Sequence, residues 1–220
     1  MRWTALILIS IAIVGCGRDP VLNGKKASQW RQELQASQVE VRRAAAKELA
    51  TIGPAAKILV PDLAAALKDS DDQVRIDVSL ALWGIGAEAT MATSELCAAL
   101  TDRHPMVRTD AAGALGELDP ESGDVVPALA SALKDRQPQV REQAAKSLER
   151  LGSSAAAAVP ELVVAIKDGD RNVRIRVMMA LAAMGPAASG AIPALEAAQK
   201  DRDPAIQANA KQALAKIQAR

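Results

Sequence analysis

The feature that most constrains this sequence is a pattern that recurs every 33 residues. It is led by a Val-Arg pair, whose arginines are Arg42, Arg75, Arg108, Arg141 and Arg174. A leucine follows eight residues after each valine, at Leu49, Leu82, Leu115, Leu148 and Leu181, and Leu214 continues the series. A recurrence of this length indicates that one supersecondary unit is repeated, and that neighbouring units bury a continuous core between them.

Each unit has the pattern of two helices. Apolar residues at the valine and at 4, 8 and 11 residues beyond it form one face of a helix of 3.6 residues per turn. A helix-ending glycine follows in most units, at Gly53, Gly86, Gly152 and Gly185. A second, shorter pattern then starts near Pro61, Pro127, Pro160 and Pro193 and ends in an aspartate. We therefore predict an all-α, right-handed α-solenoid of about five and a half two-helix repeats.

The consensus of the units resembles a known repeat family. The pattern D-x-x-P-x-V-R-x-x-A-A-x-x-L-x-x-L-G, followed by V-P-x-L-x-x-A-L-K-D, is similar to the HEAT-like repeats of the phycobilisome-lyase type, over about residues 27–220. This resemblance implies an armadillo-like superhelix. For activity it implies a range from bilin lyases to adaptor scaffolds without enzymatic activity. Ankyrin and tetratricopeptide repeats have similar periods, but their T-P-L-H segment and fixed aromatic residues are missing here.

Composition agrees with a stack of helices. The chain contains no Phe and no Tyr, although half of its 220 residues are apolar. A globule of this size would normally fill its core with aromatic rings. Helices that approach over Ala, Val and Leu need none, because each repeat packs only against its neighbours.

The first residues resemble the signal peptide of a bacterial lipoprotein. One arginine, Arg2, precedes a mostly apolar run from Trp3 to Val14, which is too short to span a membrane. The run ends in Ile13-Val14-Gly15-Cys16, which is similar to a lipobox, so Cys16 is the candidate lipidation site. The alternative is an ordinary secretory signal that contains a cysteine. We expect export and a lipid anchor at the cell envelope, with the outer membrane or periplasmic face favoured.

This interpretation divides the chain into three parts. Residues 1–15 are the expected signal peptide, residues 16–26 are the expected lipidated cysteine and tether, and residues 27–220 are the expected repeat solenoid. Trp30 takes the place of a recurring leucine, which predicts that a lone short helix covers the first layer.

Two charged columns recur in every layer. Each Val-Arg arginine is followed 27 residues later by an aspartate, and these aspartates are Asp69, Asp102, Asp135, Asp168 and Asp201. The columns could form a ladder that binds anions. Matched numbers of opposite charges in every repeat favour a structural ladder of ion pairs instead.

The sequence offers no catalytic constellation. His104 is the only histidine, and no spacing of cysteines and histidines suits a metal site. Without residues 1–15 the chain carries 26 basic and 26 acidic side chains, since Arg2 is the one charged residue removed. A neutral balance disfavours nucleic acid as a partner. We therefore predict no enzyme activity, no metal site, no cofactor and no nucleic-acid binding.

Two surfaces remain as candidates for binding another protein. On the outward face of the Val-Arg helices, large apolar residues replace charged ones in repeats two and five, and the candidate partner-binding residues are Ile76, Leu80, Trp83, Ile175 and Met179. Trp83 could alternatively fold back onto a neighbouring helix. The other surface is a trough of small residues on the second helices. It has an acidic row on one flank, Asp62, Glu95 and Glu161, and a row of lysines on the other, Lys68, Lys134, Lys167 and Lys200. The alternative is that these small residues are alanines that simply face solvent.

We expect a non-enzymatic protein–protein interaction scaffold, exported and lipid-anchored through Cys16. The alternative is a bilin-lyase-like enzyme or accessory factor, which is implied by the family resemblance alone.

Overall fold

The computed structural model describes residues 19–119 and 124–219, and within these ranges six short helices alternate with six long ones. The short helices are α1 (Ala27–Leu34), α3 (Val60–Ala66), α5 (Thr93–Ala99), α7 (Val125–Ala132), α9 (Val159–Ala165) and α11 (Ile192–Ala198). The long helices carry the Val-Arg pattern and are α2 (Val39–Ile52), α4 (Asp72–Ile85), α6 (Pro105–Leu115), α8 (Pro138–Leu151), α10 (Arg171–Met184) and α12 (Pro204–Gln218). This architecture confirms the predicted right-handed α-solenoid.

A glycine ends the long helix in four of the repeats that the structure describes. Gly53, Gly86, Gly152 and Gly185 all have a positive φ between 56° and 72°, which an L side chain rarely adopts. A 3-10 segment of seven residues begins at each of these glycines and leads into the next short helix. The third repeat differs, because α6 ends at Leu115 and the following Gly116 has a negative φ of −72°.

The core runs along the stack between the two layers of helices. The small or branched residues four positions after the valine of each Val-Arg pair are fully buried. The recurring leucines of the short helices are also fully buried, and these are Leu63, Leu96, Leu129, Leu162 and Leu195. Neighbouring long helices pack closely because these positions are small. The packing explains how the stack is filled without Phe or Tyr.

A β-hairpin precedes the first helix. Strands β1 (Val21–Leu22) and β2 (Lys25–Lys26) pair antiparallel across an Asn23-Gly24 turn, where both residues have a positive φ. This combination is typical of a type I′ turn. The tether predicted over residues 16–26 is therefore wrong for residues 19–26, because hairpin formation orders them.

Trp30 caps the first layer, as its column predicts. Its ring is fully buried, its Nε1 donates a hydrogen bond to the Leu22 carbonyl at 3.1 Å, and Lys25 Nζ lies 4.1 Å from the ring centroid. The expected signal peptide (1–15) and the lipidation site Cys16 lie outside the described residues.

Two stretches, 39–66 and 171–198, are long and apolar enough to cross a membrane by composition. Each consists of a long helix, a 3-10 segment and a short helix, interrupted at Gly53 or Gly185. Because both contribute buried residues to the core, their apolar character is explained by the repeat itself.

Candidate interaction site

Ion pairs join the two charged columns in four consecutive layers of the described chain. Arg42, Arg75, Arg108 and Arg141 each donate two hydrogen bonds, from Nε and Nη2, to the carboxylate 27 residues later. The Nε–Oδ2 distances are 2.6 to 2.8 Å. Nη1 of each arginine also donates to a carbonyl at the end of the preceding short helix. One guanidinium thus connects two successive layers.

The arginines hold the partner aspartates in their charged form. Burial alone would raise the pKa of Asp69, Asp102, Asp135 and Asp168, but the hydrogen bonds from the arginine and from a backbone N–H two residues later lower it below the ordinary value. These ion pairs therefore stabilise the stack of repeats, which is the structural role that we predicted for the two charged columns.

The fifth layer lacks this ion pair, and we call it the open layer. Arg174 donates from Nη1 to the Asp168 carbonyl at 3.0 Å, as in the other layers, but within the described residues its Nε has no hydrogen-bond partner, and Asp201 forms no ion pair. Asp201 accepts only the backbone N–H of Asp203 through its carboxylate. The predicted ladder is therefore wrong for the pair Arg174–Asp201.

Three equivalent cavities lie between short helices. They have volumes of about 320, 340 and 360 Å³ and are found between α1 and α3, α5 and α7, and α9 and α11. Equivalent positions line them at 66-residue intervals, with Ala65, Ser131 and Ala197 on the wall and Asp69, Asp135 and Asp201 at the end. We call this row of cavities the short-helix groove.

The charged side chains along this groove differ in availability. Asp69 and Asp135 are held by arginines, and Asp62 accepts a hydrogen bond from Arg31 Nε at 3.0 Å. The lysines predicted to flank the trough, Lys68, Lys134, Lys167 and Lys200, are all exposed. One of them is paired, since Lys134 Nζ lies 4.0 Å from Glu161 Oε1.

Cys97 lines the middle cavity and is half-buried. Burial, and to a smaller extent the charge of Asp124, raises the pKa of its thiol above the ordinary value. The thiol reacts slowly at neutral pH for this reason, and it provides a natural reporter inside the groove.

The predicted apolar patch on the long helices is largely covered. Ile76 is buried, with 7% of its surface exposed, so its predicted place in an exposed patch is wrong. Leu80 is 42% exposed. Ile175 and Met179 are half-buried on α10. These side chains do not make one continuous exposed surface.

Trp83 folds back over the next long helix. A Cβ built on Gly113 of α6 would lie 2.6 Å from Cε2 of the Trp83 ring, and the indole Nε1 donates to Glu117 at 3.4 Å. Trp83 and Ser147 already occupy the space above Gly113 and Gly116.

We expect Gly113→Ala to destabilise the protein by about 1–3 kcal/mol, because the new methyl group overlaps the indole ring. In a Trp83→Ala background the same change should stabilise by about 0.5–1 kcal/mol, since alanine is the better helix former. Gly84→Ala is the matched control, because a Cβ there finds only ordinary contacts. Urea unfolding of the four variants measures the sign reversal, and its absence would show that Trp83 does not lie on Gly113.

A larger cavity of about 480 Å³ lies on the long-helix side, between α8, α10 and α12. Met178, Met179 and Ala182 form its apolar wall, and Glu149 and Lys216 lie among its polar residues. Arg176 donates from Nη1 to Glu149 at 3.1 Å. Sequence reasoning missed this cavity, because the residues come from three separate helices.

Within the described residues, the side chains that could bind a metal ion do not cluster. No group of three His, Cys, Asp or Glu side chains there could hold a metal ion. His104 begins α6, where its Nδ1 accepts the backbone N–H of Met106 at 3.3 Å. It serves as a helix cap in this position.

The comparisons with known proteins agree with this architecture. The family model described as HEAT repeats matches residues 93–159 and 159–219. No curated protein matches the chain in sequence.

Solved structures of repeat proteins are similar over most of the chain. An engineered protein has 24% identity and a TM-score of 0.69, covering 86% of this chain and 95% of its own. A designed armadillo repeat protein in complex with peptide (KR)4 has 21% identity and a TM-score of 0.68, covering 86% and 98%. These two likenesses concern the fold alone.

A third similar structure is the complex of CpcE and CpcF of phycocyanin lyase from Nostoc sp. PCC7120. It has 29% identity and a TM-score of 0.55, covering 72% of this chain and 65% of that one. The matched repeats span more than half of the sequence, and their helices have the arrangement described above. The chain belongs to the HEAT repeat family.

Proposed function

We propose that this protein is a non-enzymatic scaffold that holds an extended segment of a partner protein in the short-helix groove. The observation that carries the proposal is the recurrence of one cavity, with equivalent walls, at three places along the stack. The HEAT repeat fold supports a role in protein interaction.

The spacing of the cavities suits an extended chain. Neighbouring helices in a stack lie about 8–10 Å apart, so cavities two layers apart are roughly 20 Å apart. An extended peptide covers this distance in about six residues. A segment of roughly 14 residues therefore reaches all three cavities.

We propose further that the scaffold is exported and anchored through a lipid on Cys16. The lipobox-like Ile13-Val14-Gly15-Cys16 supports this proposal. A hairpin and a capped first layer begin close after Cys16 in the chain, which would keep the solenoid near the membrane.

The test combines crosslinked affinity capture with membrane fractionation of the full chain. We expect Cys16→Ser to leave the membrane fraction. We expect Ser131→Trp, which fills the middle cavity, to lose the captured partner, whereas Leu80→Lys on the opposite helix layer should retain it. Bound partner should also protect Cys97 from alkylation by iodoacetamide at alkaline pH.

Each arm has an outcome that contradicts the proposal. Membrane retention of Cys16→Ser would exclude the anchor. Loss of the partner in Leu80→Lys but not in Ser131→Trp would move the site to the long helices. The alternative function, an accessory factor of bilin attachment, is favoured by the likeness to the CpcE–CpcF complex, and recovery of a phycobiliprotein as the partner would support it.

A further inference from the structure

The open layer at Arg174 gives one end of the short-helix groove a chemistry that the other cavities lack. In four layers, the Nε and Nη2 edge of the ladder arginine grips a carboxylate with two hydrogen bonds. Arg174 is held by the same Nη1 bond to a preceding carbonyl. Within residues 19–119 and 124–219, no carboxylate occupies its other edge.

A cavity of about 360 Å³ adjoins the Arg174 side chain, whose Nε is buried. Arg174, Lys167 and Asp201 all line it, together with the alanines of α11. The fourth charged wall residue, Asp168, is neutralised because Arg141 donates to both of its oxygens at 2.7 Å. The two cations of the cavity therefore face one carboxylate that forms no ion pair, Asp201.

We propose that this cavity binds an acidic side chain of the partner segment through the guanidinium group of Arg174. The inference rests on the proposed function and deepens it, since it makes the partner segment acidic. The guanidinium groups of the equivalent arginines pair with carboxylates in four layers, and this planar group is suited to bind a carboxylate here with two parallel hydrogen bonds. Lys68 and Lys167 are exposed and line the two outer cavities, and they extend the complementarity to further acidic residues.

Fluorescence anisotropy with defined peptides tests the proposal on the full chain in mild detergent at low ionic strength. The probe is a labelled (Glu-Ser)7 peptide with both ends capped, and the matched probes are capped (Gln-Ser)7 and (Lys-Ser)7. We expect only the acidic probe to bind. Arg174→Gln should weaken its binding about tenfold, the effect of one lost charge-assisted bidentate contact.

Three further variants separate this contact from general electrostatics. Arg174→Lys should weaken binding nearly as much as Arg174→Gln, because an ammonium group cannot reproduce the two parallel bonds. Asp201→Asn should strengthen binding, since it removes the competing carboxylate, and misfolding cannot mimic such a gain. Lys211→Gln, an equal change of charge at an exposed site on α12, should have no effect.

The proposal is overturned if Arg174→Gln binds the acidic probe as tightly as the unchanged protein, or if the basic probe binds more tightly than the acidic one. Binding of (Gln-Ser)7 with a free C-terminus, and not of the capped acidic probe, would assign the site to a terminal carboxylate and contradict it. Failure of the groove itself is distinct, because Ser131→Trp would then leave partner capture unchanged.

Discussion

Replacing Arg108 by alanine is expected to lower the free energy of unfolding by about 3–5 kcal/mol, the cost of breaking a buried ion pair by removing one partner. The Arg108 side chain is 4% exposed and that of Asp135 is 12% exposed. Arg108 donates to both Asp135 oxygens and to the Asp102 carbonyl, so the variant leaves a buried carboxylate without its cation. Guanidinium unfolding followed by circular dichroism measures the loss.

The open layer supplies the matched control for this prediction. Arg174→Ala removes the same side chain from the same column, but it breaks a single hydrogen bond to a backbone carbonyl. Its cost should be about 0.5–1.5 kcal/mol. Equal losses for Arg108→Ala and Arg174→Ala would show that the ion pair contributes nothing beyond the packing of the arginine side chain.

Replacing Asp110 by asparagine is expected to stabilise the protein at pH 7.5 by roughly 2–3 kcal/mol. Asp110 lies on α6 with 9% of its surface exposed. Burial, reinforced by the negative charge of Asp77, raises the pKa of its carboxyl from 3.8 to about 6. The Ser79 hydroxyl lies 3.2 Å from the carboxylate but donates its one proton more closely to the Ile76 carbonyl, at 2.8 Å.

The sign of the pH dependence follows from the raised pKa. The folded state binds the Asp110 proton more tightly than the unfolded state does, so the protonated carboxyl contributes stability below pH 3.8. This contribution is lost as the pH rises from about 4 to about 6. Asparagine resembles the protonated form, and the two proteins should therefore be equally stable at pH 3.5 and diverge between pH 4 and 6.

Thermal or chemical unfolding across this pH range measures the difference between the two proteins, which cancels the titration of their shared carboxylates. Asp77→Asn is a useful companion, because it removes only the repulsion and should give a smaller gain. A constant difference between Asp110→Asn and the unchanged protein at all pH values would contradict the raised pKa.

Most of the fold could be predicted from the sequence, because each layer obeys the same packing constraint. The buried columns at Leu49 and Leu63 recur with their spacing unchanged, and helix ends follow from glycines such as Gly53. The hairpin was not predicted, although Asn23-Gly24 is a strong turn signal, because only two residues pair on each side.

The site was harder to predict, because it depends on structural differences between layers that have identical residues at equivalent positions. Arg174 and Asp201 have the spacing of every other Arg–Asp pair, yet no ion pair joins them in the described part of the chain. Trp83 looked exposed by its position on the helix, and only the missing side chain at Gly113 makes room for it to fold back. Such differences depend on how helices from separate repeats settle against one another.

The ladder also sets how the stack should respond to a pulling force. Each closed guanidinium joins the end of one repeat to the end of the next, so each of these four interfaces has an ion pair that resists separation under tension along the axis. The layer that ends in α11 and α12 lacks this link. A load applied through a bound partner would therefore peel off the C-terminal repeat first, while the layers nearer the N-terminus stay intact.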